Sequence, residues 1–490
     1  MPFASTRGAQ PVSASQAIVR GIAPDGGLYA PQDLSPLSRE DFSALSQMPY
    51  ARRAAFALSR MLDDFSADGL SIMTDKAYAR FDDPAVAPLH ALQDGRYVLE
   101  LFHGPTLAFK DMALQLLPYL LTAAARKTGE TREIAILTAT SGDTGKAALE
   151  GFRDVPGTSV TVFYPLGGVS AVQERQMVTS PGRNVRVVAV RGNFDDAQTG
   201  VKRLFADEAF VRAMAAQGRV LSSANSINLG RLAPQVAYYL SACADLLASG
   251  AIGWDGGLNV CVPTGNFGNI LAAWYAKRMG APIRRLICAS NANDVLTDFL
   301  RTGVYDRRRP FHKTISPSMD ILISSNLERL LLELAKGDCS RVRRWMEELR
   351  ENGRYDVGVA CLKTMRETFA GGCADDEKTR AAIRSVWRTE GYLMDPHTAV
   401  AQSVAAEYRA RTGDTTPLLI VSTASPYKFA GDVAQAVGVS VPADAFAAAD
   451  ALERATGVRQ PAQLAQLKTL PVLHRSVCDQ AGMGDAALGK

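Results

Sequence analysis

Residues 134–146 read Ile134-Ala135-Ile136-Leu137-Thr138-Ala139-Thr140 and then Ser141-Gly142-Asp143-Thr144-Gly145-Lys146. A continuous apolar run that ends in a Gly turn predicts a strand buried on both faces. The turn leads into a helix from about Lys146. The cycle recurs: residues 160–164 precede a helix from Val169, and residues 185–190 precede one from about Phe194. Residues 258–263 precede a helix from Phe267, residues 283–289 repeat the theme, and 418–422 form a late strand. A long helix is expected from about Leu229 to Ala248. Buried strands separated by helices predict an α/β protein with mostly parallel sheet. In such sheets ligands bind beyond the carboxyl ends of the strands.

The 490 residues allow a large buried core and about two to four domains. Residues 1–85 read as a small N-terminal unit, with helical spacing over 39–65 and a boundary at Asp82-Asp83-Pro84. Residues 86–440 hold the strand–helix alternation, with a charged, largely helical segment at about 325–393. Residues 441–490 read as a helical tail whose polar end is expected to fray.

A net charge of +4 from dispersed Lys and Arg suits small anionic ligands and gives nucleic acid no footprint. The only basic run, Arg307-Arg308-Arg309, reads as a solvated loop. Seven cysteines in no CxxC spacing offer no zinc site, so no metal is expected, and they fit a reducing cytoplasm. The apolar run 112–125 is broken by Gln115 and Pro118 and is too short for a bilayer, so no membrane is expected. Monomer and homodimer stay open.

Four loops carry chemistry. His103-Gly104-Pro105-Thr106-Leu107-Ala108-Phe109-Lys110-Asp111 delivers a lysine to the mouth of a helix. There burial would lower its pKa and free the amine for attack on a carbonyl; taken alone, it is an ordinary solvated lysine. The loop Thr140, Ser141, Gly142, Asp143, Thr144 suits an anion or is a plain capped turn. Thr264-Gly265-Asn266-Phe267-Gly268-Asn269 allows close backbone approach at a helix start, either as a phosphate cradle or as a simple Gly/Asn turn. Ser422-Thr423-Ala424-Ser425 offers a hydroxyl at a strand end. An imine-forming lysine, a phosphate cradle and a hydroxyl for a neutral ring nitrogen together describe pyridoxal phosphate.

The chain resembles the threonine synthase family, pyridoxal-phosphate enzymes of fold type II. The resemblance rests on the Lys110 stretch, Ala139–Gly145, Asn225-Ser226-Ile227-Asn228-Leu229-Gly230-Arg231 and Gly265–Asn269. It extends to Ser316-Pro317-Ser318-Met319-Asp320-Ile321, Asp395-Pro396-His397-Thr398-Ala399, Ser5-Thr6-Arg7-Gly8 and Ala23-Pro24-Asp25-Gly26-Gly27-Leu28-Tyr29. It departs at Ser425-Pro426-Tyr427-Lys428-Phe429, where the family more often has His-Pro-Ala-Lys-Phe.

The resemblance implies a tryptophan-synthase-β-like fold of two open, mostly parallel sheets flanked by helices, with a small N-terminal domain of the long bacterial and fungal type. It implies conversion of O-phospho-L-homoserine and water to L-threonine and phosphate. Lys110 would anchor the cofactor and act as the catalytic base. Gly265, Asn266, Phe267, Gly268 and Asn269 would hold the cofactor phosphate, and Thr423 the ring nitrogen. The loop Thr140–Thr144 would hold the substrate carboxylate, and Lys146, Asn228 and Arg231 its phosphate. His397 is read as either functional or structural, and Phe109 as core. A phospho-lyase giving 2-oxobutyrate and a non-catalytic cofactor-binding protein are the alternatives. The N-terminal unit and the Asn228/Arg231 pair argue against a serine/threonine dehydratase.

Overall fold

The computed structural model describes residues 2–489; residues 1 and 490, which bound the outer two segments read from the sequence, lie outside the described residues. Two sheets organise the chain. In the first, the strand order is Phe369–Cys373, Ile283–Ser290, Leu258–Pro263, Leu418–Ser422, Arg96–Glu100 and Leu89–Leu92. All neighbours run parallel except the last pair. In the second, Ser476–Cys478, Val185–Val190, Thr158–Pro165, Glu133–Ala139 and Arg219–Ser222 are all parallel. The apolar strands are central in both, as burial on two faces requires.

The helix Leu229–Ala248 is buried along nearly its whole length, including both tyrosines of Tyr238-Tyr239. Asn228 caps its start. Helices Ala14–Arg20 and Tyr50–Ser59 of the N-terminal unit pack on the same core, which runs without a break from Phe3 and Leu58 through Leu117 and Tyr239 to Val262 and Val162. Arg53 joins the unit to this helix through Ser241 and Asp245 at 2.9 and 2.7 Å.

Three expectations change. The run after Lys110 is two helices, Asp111–Leu114 and Leu117–Thr128, parted at Gln115-Leu116. The 325–393 segment is largely helical, yet Phe369–Cys373 inside it forms the edge strand of the first sheet. The tail is folded along its described residues: Ser476–Cys478 pairs with Val188, Ala189 and Val190, and Met483 is fully buried under the second sheet. Its polar look hides a short edge strand, which needs few apolar residues because one side faces solvent.

Candidate active site

The loop bearing Lys110 is zipped to the end of strand Leu418–Ser422. Leu101 N–H donates to Ser422 O at 3.0 Å, Phe109 N–H to Thr423 O at 2.8 Å and Ser425 N–H to Leu107 O at 3.0 Å. Lys110 and Thr423 are thereby fixed beside each other by backbone alone. Inside the loop, Asp111 is fully buried and accepts from Thr106 N at 2.8 Å, Thr106 Oγ1 at 2.9 Å and Gln115 Nε2 at 3.0 Å. Burial raises its pKa to about 6, against those hydrogen bonds.

Lys110 Nζ lies 3.5 Å from Asp143 Oδ2 and 3.4 Å from Ser318 Oγ. Burial lowers its pKa; Asp143 opposes this, and the charges of Lys428 and Arg231 add to it. Asp143 also meets Lys428, whose side chain is fully buried, at 2.7 Å, and accepts from Gln173 Nε2 at 3.1 Å. Burial works against the Asp143 charge, but Lys428 and Lys110 hold its carboxyl well below the usual range. Lys428 also donates to Thr106 O at 2.9 Å. Asp143 follows a strand of the second sheet, whereas Lys110 and Lys428 belong to the first, so the two sheets meet at their carboxyl ends.

The 140–146 turn is built around Thr140, whose Oγ1 accepts from Gly142 N and Gly145 N, both at 2.9 Å. Gly142 has φ of 141°, and a Cβ there would lie 2.3 Å from the Gln173 side chain. Any other residue type would be strained there.

The cradle is the start of helix Gly268–Arg278. Phe267 holds a left-handed conformation at its N-cap, and no side chain caps it. Its N–H groups and dipole are presented to whatever binds. A Cβ on Gly265 would sit 2.7 Å from Ser318 O. Asn269 is buried; Tyr238 and Tyr239 donate to its Oδ1 at 2.7 and 2.5 Å, while its Nδ2 has no partner. An orphaned buried donor at an uncapped helix start fits an anionic group such as the phosphate of pyridoxal phosphate. Arg231 is also buried. It donates to Ala224 O at 2.7 Å, its Nε has no partner, and burial lowers its pKa to about 10.

A model described as pyridoxal-phosphate dependent enzyme matches residues 88–424, and those of the threonine synthase N terminus and C-terminal region match 2–78 and 398–477. The threonine synthase of Pseudomonas aeruginosa is 39% identical over 456 residues, 93% of this chain and 94% of that protein. The chain belongs to the threonine synthase family. Pyridoxal phosphate is the cofactor of this family of enzymes. A pyridoxal-phosphate-bound threonine synthase from Brucella melitensis superposes with a TM-score of 0.90 at 38% identity, covering 100% of this chain and 99% of that one. Threonine synthase-like 1 of Pongo abelii is 42% identical over 457 residues, 89% of this chain. The chain spans 58–61% of the length of such threonine synthase-like 1 relatives.

Within this threonine synthase fold, Lys110, Thr423, Asp143 and the Gly265–Asn269 cradle converge. The trio expected at the substrate phosphate separates. Lys146 is buried against Glu150 Oε1 at 2.7 Å and Ser180 Oγ at 2.9 Å. Asn228 spends its Oδ1 on Gly230 N at 2.8 Å and its Nδ2 on Ile18 O at 3.0 Å. Of the three, only Arg231 has a buried side-chain nitrogen, Nε, with no partner at all. Asp143, expected at the substrate carboxylate, is instead the counter-ion of two lysines. Ser141 is exposed and Thr144 half-buried, so their side chains are reachable.

Sequence reasoning missed Lys428, Gln173 and Ser318 as site residues. A lysine in the otherwise apolar segment around Tyr427-Lys428-Phe429 was the available signal, since a lysine is rarely buried without a partner. His397 is a support: its Nδ1 meets Asp395 Oδ1 at 2.8 Å, and its Nε2 accepts the Ser318 N–H at 3.1 Å. Asp320 ties the same loop to the end of strand Ile283–Ser290 through Asn291 at 2.7 Å, and accepts from Thr314 within the loop at 2.7 Å. Among the described residues, no acidic, His and Cys cluster could hold a metal, and no helix is long and apolar enough to cross a membrane.

Proposed function

We propose that the protein is a threonine synthase that converts O-phospho-L-homoserine and water to L-threonine and phosphate. The observation that carries the proposal is the convergence of a lysine of lowered pKa, an uncapped anion cradle and a buried Arg231 with a spare donor. It stands in a chain 39% identical to a threonine synthase over 94% of that protein. Lys110 would anchor the cofactor, the Gly265–Asn269 start of the helix would grip its phosphate, and Thr423 would face its ring nitrogen. When bound, pyridoxal phosphate supplies the electron sink for a carbanion next to the amino group.

The chain's own groups do the rest. Burial and the cations Lys428 and Arg231 favour the neutral amine of Lys110, which suits it to take the proton from the substrate Cα. Asp143 then stabilises the ammonium so formed. Ser318 Oγ, 3.4 Å from the amine, fixes the direction of the lysine tip. Arg231 Nε holds the γ-phosphate, and the same contact serves the phosphate after it leaves. The N–H groups of the 140–144 turn suit the substrate carboxylate, with Ser141 and Thr144 as side-chain donors. We place the division of labour at residues 1–85, 86–440 and 441–490, and the protein in the cytoplasm, as its free cysteines suit.

The test incubates the holoprotein with O-phosphohomoserine and measures threonine, phosphate and 2-oxobutyrate. Threonine and phosphate in equal amounts are expected. Mainly 2-oxobutyrate overturns the synthase reading in favour of a phospho-lyase. No turnover, with no absorbance band lost in Lys110→Ala, overturns the enzyme reading altogether.

A further inference from the structure

Arg329 is among the largest fully buried side chains, and among the described residues its guanidinium makes no ion pair; the charge of Glu328 reaches it only at longer range. Its neighbour Glu328 is spent on Thr6 Oγ1 at 2.5 Å and on Arg7 by two bonds of 2.9 Å. The three Arg329 nitrogens donate to oxygens of three separate segments. Nε reaches Tyr29 O of the N-terminal unit at 2.8 Å. One terminal nitrogen reaches Ile227 O at 2.6 Å, in the turn that leads through Asn228 to Arg231. The other reaches Asn326 Oδ1. Asn326 in turn donates its Nδ2 to Asn266 O at 3.0 Å and its backbone N–H to the same oxygen at 3.1 Å.

The order of these bonds is forced. A guanidinium has only donors, so Asn326 must present its oxygen to Arg329 and its NH2 to the carbonyl of Asn266. That carbonyl belongs to the peptide just before Phe267, the left-handed residue that aims the start of helix Gly268–Arg278. For stability alone, a buried cation with no paired carboxylate is a poor choice against an apolar side chain of similar size.

We propose that Arg329 is a positioning residue for both anion sites. Through Asn326 it fixes the turn that would hold the cofactor phosphate. Through Ile227 it fixes the turn that aims Arg231 at the substrate phosphate, and through Tyr29 it makes both depend on the N-terminal unit. The second half rests on the threonine synthase reading; the first rests only on the cofactor.

The test uses Arg329→Lys, Arg329→Met and Asn326→Asp in the holoprotein, with Arg53→Lys as a control. Arg53 also joins the N-terminal unit to the core, but away from both turns. Cofactor dissociation is measured by equilibrium dialysis and by the absorbance band, and KM and kcat with O-phosphohomoserine. Arg329→Lys keeps the charge but cannot span three acceptors. It is expected to raise both the cofactor Kd and the KM about tenfold, the usual cost of a lost charged hydrogen bond. Its kcat should stay within about threefold.

Asn326→Asp keeps an acceptor for Arg329 but loses the side-chain donor to Asn266. It is expected to raise only the cofactor Kd. Arg53→Lys should change neither constant. If Arg329→Met fails to fold, Arg329→Lys and Asn326→Asp carry the test. Cofactor Kd and KM within about twofold of the parent in Arg329→Lys, whatever its melting temperature, overturn the proposal. A parent protein that binds cofactor but makes no threonine refutes the functional reading instead, and the Kd comparison still decides the cofactor half.

Discussion

Replacing Asp143 by asparagine leaves Lys428 buried without its counter-ion. The two side chains are 4% and 0% exposed and 2.7 Å apart. Removing one partner of such a pair costs about 3–5 kcal/mol, because the remaining charge cannot reach water and Asp111 acts on it only at longer range. Lys428→Met should cost less, since Asp143 keeps Gln173 at 3.1 Å and Lys110 at 3.5 Å. The double variant should be more stable than Asp143→Asn alone, with a coupling of about 2 kcal/mol or more. Urea midpoints of the four holoproteins at pH 7, converted with the parent slope, give that coupling.

The pH dependence supplies a second check. The folded-state pKa of Asp143 is depressed, so its contribution is present above the unfolded value of about 3.9 and is lost as pH falls through the folded one. The gap between parent and Asp143→Asn should therefore be flat from about pH 5 to 8 and close only in acid. Additive single costs, with a coupling below about 0.5 kcal/mol, would refute the claim that Lys428 is held by Asp143.

Three further outcomes are expected. His103 lies between Asp82 at 2.9 Å and Glu100 at 2.8 Å; burial opposes its charge, but the two carboxylates raise its pKa to about 9. This adds up to about 3 kcal/mol, fully present below about pH 6.5 and lost as pH rises through about 9. His103→Gln should flatten that part of the stability–pH curve, and an unchanged slope sinks the assignment. Gly265→Ala puts a methyl 2.7 Å from Ser318 O. The displaced turn should weaken cofactor binding by about tenfold in a fluorescence titration, and unaltered binding means the turn does not touch the phosphate. Arg231→Met removes a buried cation with a spare donor; KM should rise about thirtyfold or more while melting changes little, and an unmoved KM would end its role at the substrate phosphate.

What could be read in the chain follows from which interactions leave a local trace. The strands Glu133–Ala139 and Leu258–Pro263 are buried on both faces along most of their length, and such burial demands an apolar run that is visible without any partner. The Gly-bearing loops were legible for a similar reason, because a turn that approaches another backbone excludes side chains whatever lies opposite. Gly265 is needed against Ser318 O, and the need shows even though Ser318 cannot be guessed. Polar side chains give no such sign of which partner they meet.

Lys146, Asn228 and Arg231 look alike as candidates for a phosphate, yet Glu150 and Ser180 take the first and Ile18 and Gly230 take the second. Only the fold decides which buried donor is left over. Asp143 shows the same limit from the other side. In sequence it is a turn residue beside two glycines, and its function is set by Lys428, which arrives 285 residues later from the other sheet. A buried cation must be answered by something; where the answering group is distant in sequence, only the three-dimensional arrangement names it. Arg329 is the case with no carboxylate in ion-pair contact, and three carbonyl-type oxygens from three segments take that place. Their convergence makes the N-terminal unit part of the site's framework, although the sequence set a boundary between them.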